Sequence, residues 1–254
     1  MKKRLKSIDF LRGLAVLLVI FRHIPNIEYL KEFELVYYVL KFLKNGGWIG
    51  VDLFFVLSGY LVSSLIFKEI KKNNHFNIKR FLIRRGLKIY PAFYFFLFST
   101  LSLQLIFQRD FHIINLIGEI TYLQNYVGRM YPHTWSLAVE EHFYILLSVM
   151  ALFFINKKKS NWFWPVTLGF LIIIIPHIRH LNFANNSYSF DTHFFPTHLR
   201  IDALALGVFI SYLKFYKSVF YQKINLIFEK KYVLGIGLLL LLPNFILPIT
   251  SWYI

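Results

Sequence analysis

Seven long apolar segments constrain the fold of this 254-residue chain more than any other feature of its sequence. Most of them approach the ~20 residues that a helix needs to cross a hydrocarbon core of about 30 Å. The sequence therefore predicts an all-α protein, a polytopic bundle of about seven transmembrane helices. We place them at residues 10–26, 48–67, 86–107, 137–155, 162–180, 199–216 and 233–250.

The composition agrees with a chain that lies in lipid. Hydrophobic residues make up 57% of it and charged residues 17%, whereas soluble domains are about 45–50% apolar. The chain contains no cysteine, which excludes disulfides, thiolate metal sites and a cysteine nucleophile.

The basic residues follow the predicted connections. If the chain weaves through the membrane, one set of connections holds 20 of the 29 Lys and Arg with only two acidic residues, while the other holds 8 basic and 6 acidic residues. The positive-inside rule places the first set in the cytoplasm, together with the N-terminus. The net charge of +16 is then a topology signal, and we predict no nucleic-acid partner.

The organisation is that of one membrane domain over residues 1–254, without repeats or flexible linkers. The basic start followed by an apolar run is not interpreted as a cleaved signal, because no small-residue cleavage site follows it. Residues 108–136 fit neither a membrane span nor a short polar connection. Leu116 to Tyr126 is apolar enough to lie at the interface or re-enter, yet too short and polar to span.

The first predicted span carries two ionisable groups, Arg12 and His23. Eleven residues correspond to three helical turns plus about 20°, so both side chains lie on one face, about 16 Å apart along the axis. Buried ionisable groups in a membrane mark functional sites by default. A single membrane histidine, however, more often serves as a hydrogen-bonding group between helices.

Further charged residues fall near the external ends of the predicted spans. Ser136 and Glu140 are four residues apart, so the hydroxyl is within reach of the carboxylate on a helix. The topology brings five ionisable residues to a similar depth, where an imidazole beside carboxylates is suited to act as a general base. They are His23, Asp52, Glu140, Arg200 and Asp202.

A basic ladder lies at the opposite, cytoplasmic side. Arg80, Arg84 and Lys88 are spaced four residues apart, which forms a stripe suited to phosphate groups. Topology determination and contact with anionic lipids are the alternative roles of this stripe. The HExxH, GxSxG, Walker A and dinucleotide-binding motifs are absent, and we predict no metal centre.

Together these segments resemble the acyltransferase-3 family of membrane O-acyltransferases. Five stretches match in the family's order over residues 7–207. They are Arg12 with His23, the run Gly50 to Leu61, the basic stretch Phe81 to Pro91, the run Trp135 to Tyr144, and the patch Arg200 to Gly207.

The resemblance implies a chemistry and a location. Family members use acyl-CoA, commonly acetyl-CoA, as the donor substrate and acylate hydroxyls of surface glycans or lipid-linked saccharides. We therefore expect a multi-pass protein of the inner, cytoplasmic membrane of a bacterium, with no permanently bound cofactor.

The resemblance also assigns roles to residues. His23 is expected to be the general base or a transient acyl carrier, and Glu140 its carboxylate partner, with Glu141 as the alternative. Arg84, Arg85 and Lys88 are expected to bind the CoA phosphates. The remaining candidates form a supporting polar cluster of Arg12, Asp52, Ser136, Glu141, Arg200 and Asp202.

Two departures from the family pattern matter. Lys88 stands where the family usually has arginine, and lysine lacks the bidentate fork for phosphate. The chain also has about seven spans where family domains have about ten, so we expect it to be short at its C-terminus. A non-enzymatic transporter or glycan-translocation partner, or an inactive truncated acyltransferase, is the alternative function.

Overall fold

The computed structural model of the protein describes residues 6–156, 162–185 and 187–247. All regular elements in these ranges are helices. The α-helices are α1 (Lys6–Arg22), α2 (Glu34–Gly46), α3 (Ile49–Asn73), α4 (Ile78–Ile106), α5 (Ile113–Ile120), α6 (Trp135–Asn156), α7 (Phe163–Asn185), α8 (Ile201–Tyr216), α9 (Ser218–Phe228) and α10 (Lys231–Ile246).

The predicted fold class, an all-α polytopic bundle, is confirmed. Among the described residues, helices α3, α4, α7 and the stretch Pro132–Phe153 around α6 are long and apolar enough to cross a membrane. Helices α8 and α9 qualify together as a fifth, bent by 120° at their junction. Helices α1 and α10, with 17 and 16 residues, are slightly shorter than the ~20 residues that a membrane-spanning helix needs. Seven spans and a cytoplasmic N-terminus therefore stay predictions.

Several helix ends differ from the predicted spans, and for two of them the reason is local. Helix α1 ends at Arg22 rather than residue 26, because Pro25 disfavours helical backbone at the residue before it. Helix α4 begins at Ile78 rather than residue 86. The side chain of Asn77 accepts a hydrogen bond from Arg80 N at 2.9 Å and caps this earlier start.

The chain forms two compact units. The described residues of the first are 6–64 and 203–247, and those of the second are 65–156, 162–185 and 187–202. Helices α3 and α8 contribute residues to both units.

In the first unit, α3 and α8 pack backbone to backbone at two glycines. A Cβ on Gly59 would collide with the carbonyl of Leu204, and one on Gly207 with the carbonyl of Val56. Close approach at small residues is the usual way that membrane helices associate. The glycines in two of the family-like stretches are thus packing residues.

The end of α1 is fixed in the same unit. A Cβ on Gly50 would lie 2.6 Å from the carbonyl of Ala15, so the start of α3 packs tightly on α1. Arg22 Nη1 donates to Lys44 O at 3.4 Å, and Lys44 Nζ donates to Pro25 O at 3.3 Å. These contacts hold α2 against the end of α1.

In the second unit, α4 and α6 pack together with the connection between them. Phe93, Leu97 and Tyr122 form a buried cluster, against which Leu137 of α6 also packs. Helix α7 packs in the same unit through Trp164, whose ring contacts the ring of Phe67 edge-on, with 5.1 Å between the ring centroids. This arrangement positions the side chains described next.

Candidate functional site

The basic segment, residues 79–88, forms the first turns of α4. Arg84 and Lys88 are exposed, whereas Arg85 is half-buried. The guanidinium of Arg85 lies over the ring of Tyr144 in α6, 4.9 Å from its centroid. A guanidinium over an aromatic face is a favourable contact, so Arg85 is anchored against α6 while its neighbours stay accessible.

The carboxylate pair, Glu140 and Glu141, faces this segment from α6. Tyr144 donates its hydroxyl hydrogen to Glu140 Oε2 at 2.5 Å. Tyr90, two residues beyond the basic segment, donates to Glu141 Oε2 at 3.0 Å. The prediction that Ser136 is the hydroxyl partner of Glu140 is therefore wrong. Ser136 Oγ donates to the carbonyl of His133 at 3.5 Å. The hydroxyl that Glu140 accepts comes instead from Tyr144, which lies one turn later on the same helix face.

The basic segment and the carboxylate pair adjoin, although the sequence analysis put them at opposite sides of the membrane. That separation is wrong for Arg85, which reaches Glu140 through the ring and hydroxyl of Tyr144. The cause is an offset between two antiparallel helices. Helix α4 is 29 residues long, about 43 Å at 1.5 Å per residue, and it packs on α6 through its first half.

A cavity of about 430 Å³ opens beside Lys88, between α4 and the start of α6. We call it the Lys88 cavity. Its volume lies in the range of about 300–1,000 Å³ typical of small-molecule sites. Its lining is mostly apolar, with one cation and few polar groups. The lining residues are Lys88, Ile89, Ala92, Phe93, Phe96, His133, Thr134 and Leu137.

The far wall of the Lys88 cavity is held by Glu119, which is fully buried in α5. Its Oε1 accepts hydrogen bonds from Met130 N at 3.1 Å, Tyr131 N at 3.2 Å and Thr134 Oγ1 at 2.8 Å. Burial raises the pKa of this carboxyl above its ordinary value, and the donors oppose that shift in part. Sequence reasoning missed Glu119. Its one available signal was a single carboxylate inside an apolar stretch.

His23 lies in the turn directly after α1, in the first unit, and its side chain is exposed. Its Nδ1 is 2.8 Å from the carbonyl of Val19. A carbonyl only accepts, so Nδ1 carries the hydrogen and Nε2 keeps its lone pair. This contact gives the imidazole the tautomer that a general base requires. Arg12 is exposed in α1, and Asp52 is half-buried in the first turns of α3.

Arg200 and Asp202, from the supporting polar cluster, have partners of their own in the second unit. Asp202 forms an ion pair with Arg179 of α7 at 2.6 Å. The guanidinium of Arg200, which is 4% exposed, lies over the rings of Trp135 and Phe194 at 5.5 and 4.5 Å. Sequence reasoning missed Arg179, because its partner is 23 residues away and no motif covers it.

The candidate residues thus divide between the two units. His23, Arg12 and Asp52 belong to the first unit, and the basic segment, the carboxylate pair, Arg200 and Asp202 to the second. The pairing of His23 with Glu140 stays a prediction. Within the described ranges, no group of three His, Asp or Glu side chains is arranged to hold a metal ion.

Comparison with known proteins places these features in a wider group. The model of the acyltransferase-3 family, described as "Acyltransferase domain", matches residues 5–254. The protein named "Putative O-acetyltransferase SACOL0978" from Staphylococcus aureus strain COL is 29% identical over 217 residues, which cover 76% of this chain and 35% of that protein. The O-acetyltransferase OatA of S. aureus strain NCTC 8325 is 27% identical over 219 residues, with the same coverage.

The chain spans about a third of the length of the curated relatives that it matches. No solved structure matches it.

Proposed function

Since this chain belongs to the acyltransferase-3 family of membrane proteins, we propose that it transfers an acyl group from acyl-CoA to a hydroxyl of a cell-surface glycan or of its lipid-linked precursor. Acetyl-CoA is the proposed donor, and the cytoplasmic membrane of a bacterium the proposed location. One observation carries the proposal. The basic segment of α4 adjoins the carboxylate pair of α6, and a cavity opens beside them.

The donor is an elongated molecule with phosphates at one end and a thioester at the other. Arg84 and Lys88 are exposed cations on α4, and cations of this kind bind phosphate through charge-assisted hydrogen bonds. Lys88 also lines the Lys88 cavity, whose remaining lining is largely apolar. Such a space suits the aliphatic arm that carries the thioester.

The chemistry is the attack of a hydroxyl oxygen on the thioester carbonyl carbon. A new C–O bond forms, the C–S bond breaks, and the sulfur leaves as the CoA thiol after it receives a proton. His23 Nε2 takes the hydroxyl proton and returns it to the sulfur, while the Val19 carbonyl keeps the ring in the required tautomer. Glu140 is the proposed carboxylate partner that stabilises the imidazolium.

A second route uses the same residue as a nucleophile. His23 Nε2 would first take the acyl group with release of the CoA thiol, and the acceptor hydroxyl would then displace the imidazole. Both routes give the same products and need the same neutral ring. Trapping of acylated His23 after rapid quenching, detected by mass spectrometry of the peptide, distinguishes the second route from the first.

The test is release of the CoA thiol by the purified full chain in detergent, with acetyl-CoA and a saccharide acceptor. Because the chain contains no cysteine, a thiol reagent reports CoA alone. We expect thiol release to depend on the acceptor and to be lost in His23→Ala. A protein that is folded and binds acetyl-CoA, yet releases no thiol with any acceptor, would favour the transporter alternative instead.

A further inference from the structure

A second cavity of about 430 Å³ lies in the second unit, at the C-terminal end of α7. We call it the α7 cavity, and it shares no lining residue with the Lys88 cavity. One wall comes from α7, where spacings of three and four residues place four side chains on one helix face. The other wall comes from the segment before α8. The lining residues are Ile178, Leu181, Asn182, Asn185, Thr192, His198 and Leu199.

The polar groups of this cavity are amides, a hydroxyl and an imidazole. Asn182 Nδ2 donates to the carbonyl of Thr192 at 2.8 Å, which ties the two walls together. Asn185 Nδ2 donates to the carbonyl of Leu181 at 2.9 Å. An amide side chain has two donor hydrogens and an acceptor oxygen, so Asn185 retains bonding capacity beyond that contact. Groups of this kind match sugar hydroxyls, which both donate and accept.

The imidazole of His198 is oriented by Tyr126. The Tyr126 hydroxyl accepts the backbone N–H of His198 at 3.2 Å and also lies 3.2 Å from Nδ1. The two contacts fix the ring beside Tyr126 and leave Nε2 as the second ring nitrogen for a ligand. Burial lowers the pKa of His198 below its ordinary value, which favours the neutral ring, and in a neutral imidazole each nitrogen donates or accepts one hydrogen bond.

No residue that lines the α7 cavity carries a formal charge at neutral pH. The adjacent cation, Arg179, forms an ion pair with Asp202 at 2.6 Å and also donates to Leu199 O at 2.9 Å. A phosphate or carboxylate ligand would therefore lose its hydration without gaining an ionic partner. The apolar side chains of Ile178 and Leu181 offer a surface for the C–H face of a sugar ring.

We propose that the α7 cavity binds an uncharged saccharide unit of the acceptor. The wall that carries His198 is joined to α6 directly, because Thr197 Oγ1 lies 2.9 Å from Nδ1 of His142, the residue after Glu141. A saccharide held here would lie next to the helix that carries the carboxylate pair. The proposal that the cavity binds a saccharide does not depend on the proposed function. The proposal that this saccharide is the acyl acceptor rests on it.

Saturation-transfer NMR on the full chain, in a detergent without a sugar headgroup, tests the binding directly. The neutral probes are cellobiose and N,N′-diacetylchitobiose, and glucose 6-phosphate is the charged comparison. We expect saturable transfer to at least one neutral disaccharide and weaker binding of the phosphate. Asn185→Leu and His198→Phe should each weaken the affinity about tenfold, as expected for loss of one or two hydrogen bonds.

The matched control is His180→Phe, which changes an exposed histidine of α7 outside the cavity. It should bind the saccharide as the unchanged protein does. Absence of saturable binding by the neutral probes, equal binding by Asn185→Leu, or preference for the phosphate would each overturn the proposal. Asn185 is exposed on a helix, so a folding failure is not expected to obscure this variant.

Acetyl-CoA-dependent thiol release, measured on the same samples, separates the two hypotheses. Saccharide-dependent release that Asn185→Leu leaves unchanged would sustain the proposed function and overturn the α7 cavity as the acceptor site. Saccharide binding that is lost in Asn185→Leu, with no release by any sample, would sustain the binding site and overturn the acyl transfer.

Discussion

The phenol of Tyr90 donates a hydrogen bond to Glu141 Oε2 at 3.0 Å and thereby joins α4 to α6. Glu141 is 6% exposed, so this donor satisfies one oxygen of a carboxyl group that water hardly reaches. Because Tyr90 follows the basic segment by two residues, the bond also fixes where Arg85 and Lys88 lie along α6. Together with the contact of Arg85 with Tyr144, it links the donor-binding candidates to the carboxylate pair.

Tyr90→Phe should lower both thermal stability and turnover. Removal of a hydrogen bond to a buried carboxyl group costs about 1–3 kcal/mol, and the effects of Tyr90→Phe and Glu141→Gln should be non-additive because both remove one interaction. A double-mutant cycle of unfolding temperatures in detergent measures this. Tyr29→Phe, at an exposed tyrosine, is the control. If the losses in unfolding temperature of Tyr90→Phe and Glu141→Gln add, the two side chains do not interact energetically and the prediction is wrong.

His23→Ala should abolish acyl transfer while acetyl-CoA binding stays close to normal. General-base catalysis contributes about 10²–10⁴-fold, so the loss should be in kcat. His23→Gln keeps hydrogen-bonding capacity but takes up no proton, and it should fail as well. His112→Ala, at another exposed histidine, serves as the control. A glutamine variant with nearly normal turnover would make His23 structural, and Glu140 would be the next candidate for the base.

Substitution of the exposed cations of the basic segment should affect the donor. Lys88→Gln and Arg84→Gln should each raise the KM for acetyl-CoA several-fold and leave kcat largely unchanged, because they contact phosphates rather than the reacting atoms. Lys72→Gln is the matched control, since Lys72 is an exposed cation in the last turn of α3, outside the basic segment. An equal KM for all three variants and the unchanged protein would leave the segment with a topological role only.

Alanine at Gly59 or Gly207 should destabilise the first unit. The added Cβ would meet backbone carbonyls of the facing helix, and backbone cannot yield as a side chain can, so we expect a loss of about 1–3 kcal/mol or more. Gly13→Ala and Gly169→Ala, where nothing lies within 4 Å of the new atom, should be neutral or slightly stabilising. Unfolding temperatures in detergent provide the comparison, and equal effects at all four glycines would contradict the close packing of α3 on α8.

The proposed membrane topology can be tested with single cysteines, since the chain has none. A cysteine at Lys31 should react with an impermeant reagent on intact cells, and one at Lys71 should react only after lysis, because the positive-inside rule puts Lys71 in the cytoplasm. Lys158, a second position that we predict to be cytoplasmic, lies outside the described residues. Labelling of Lys71→Cys on intact cells would contradict the predicted orientation and indicate the opposite one.

Periodicity and loop charge predicted the helical class and most of the long helices, because about 20 consecutive apolar residues have few other solutions. They did not predict α2. It is amphipathic, and a pattern search for spans treats such a helix as a loop. The start of α4 was missed because its first turns are charged, although Asn77 before them is a recognisable N-cap.

The motifs identified candidate site residues, whose roles stay predictions, but they did not identify the neighbours that these residues contact. The motifs pointed to Glu140, Glu141 and the basic segment, yet Tyr90 and Tyr144 bind the carboxylates and Arg179 pairs with Asp202. Such partners depend on how far one helix is shifted along another. That offset is fixed by side-chain packing over many residues, and no local pattern encodes it.

The connection between α4 and α6 also implies an order of assembly. Glu119 bonds to residues 11–15 positions away, and Gln124 and Asn125 each bond to a carbonyl 10 positions away. Closing loops this short costs little entropy, so this segment can acquire its structure once α6 has been synthesised. Thr197 pairs with Asn125 from 72 positions away, so this contact forms only after α7 has been synthesised. We therefore expect slow steps in biogenesis to follow, rather than precede, the synthesis of α7.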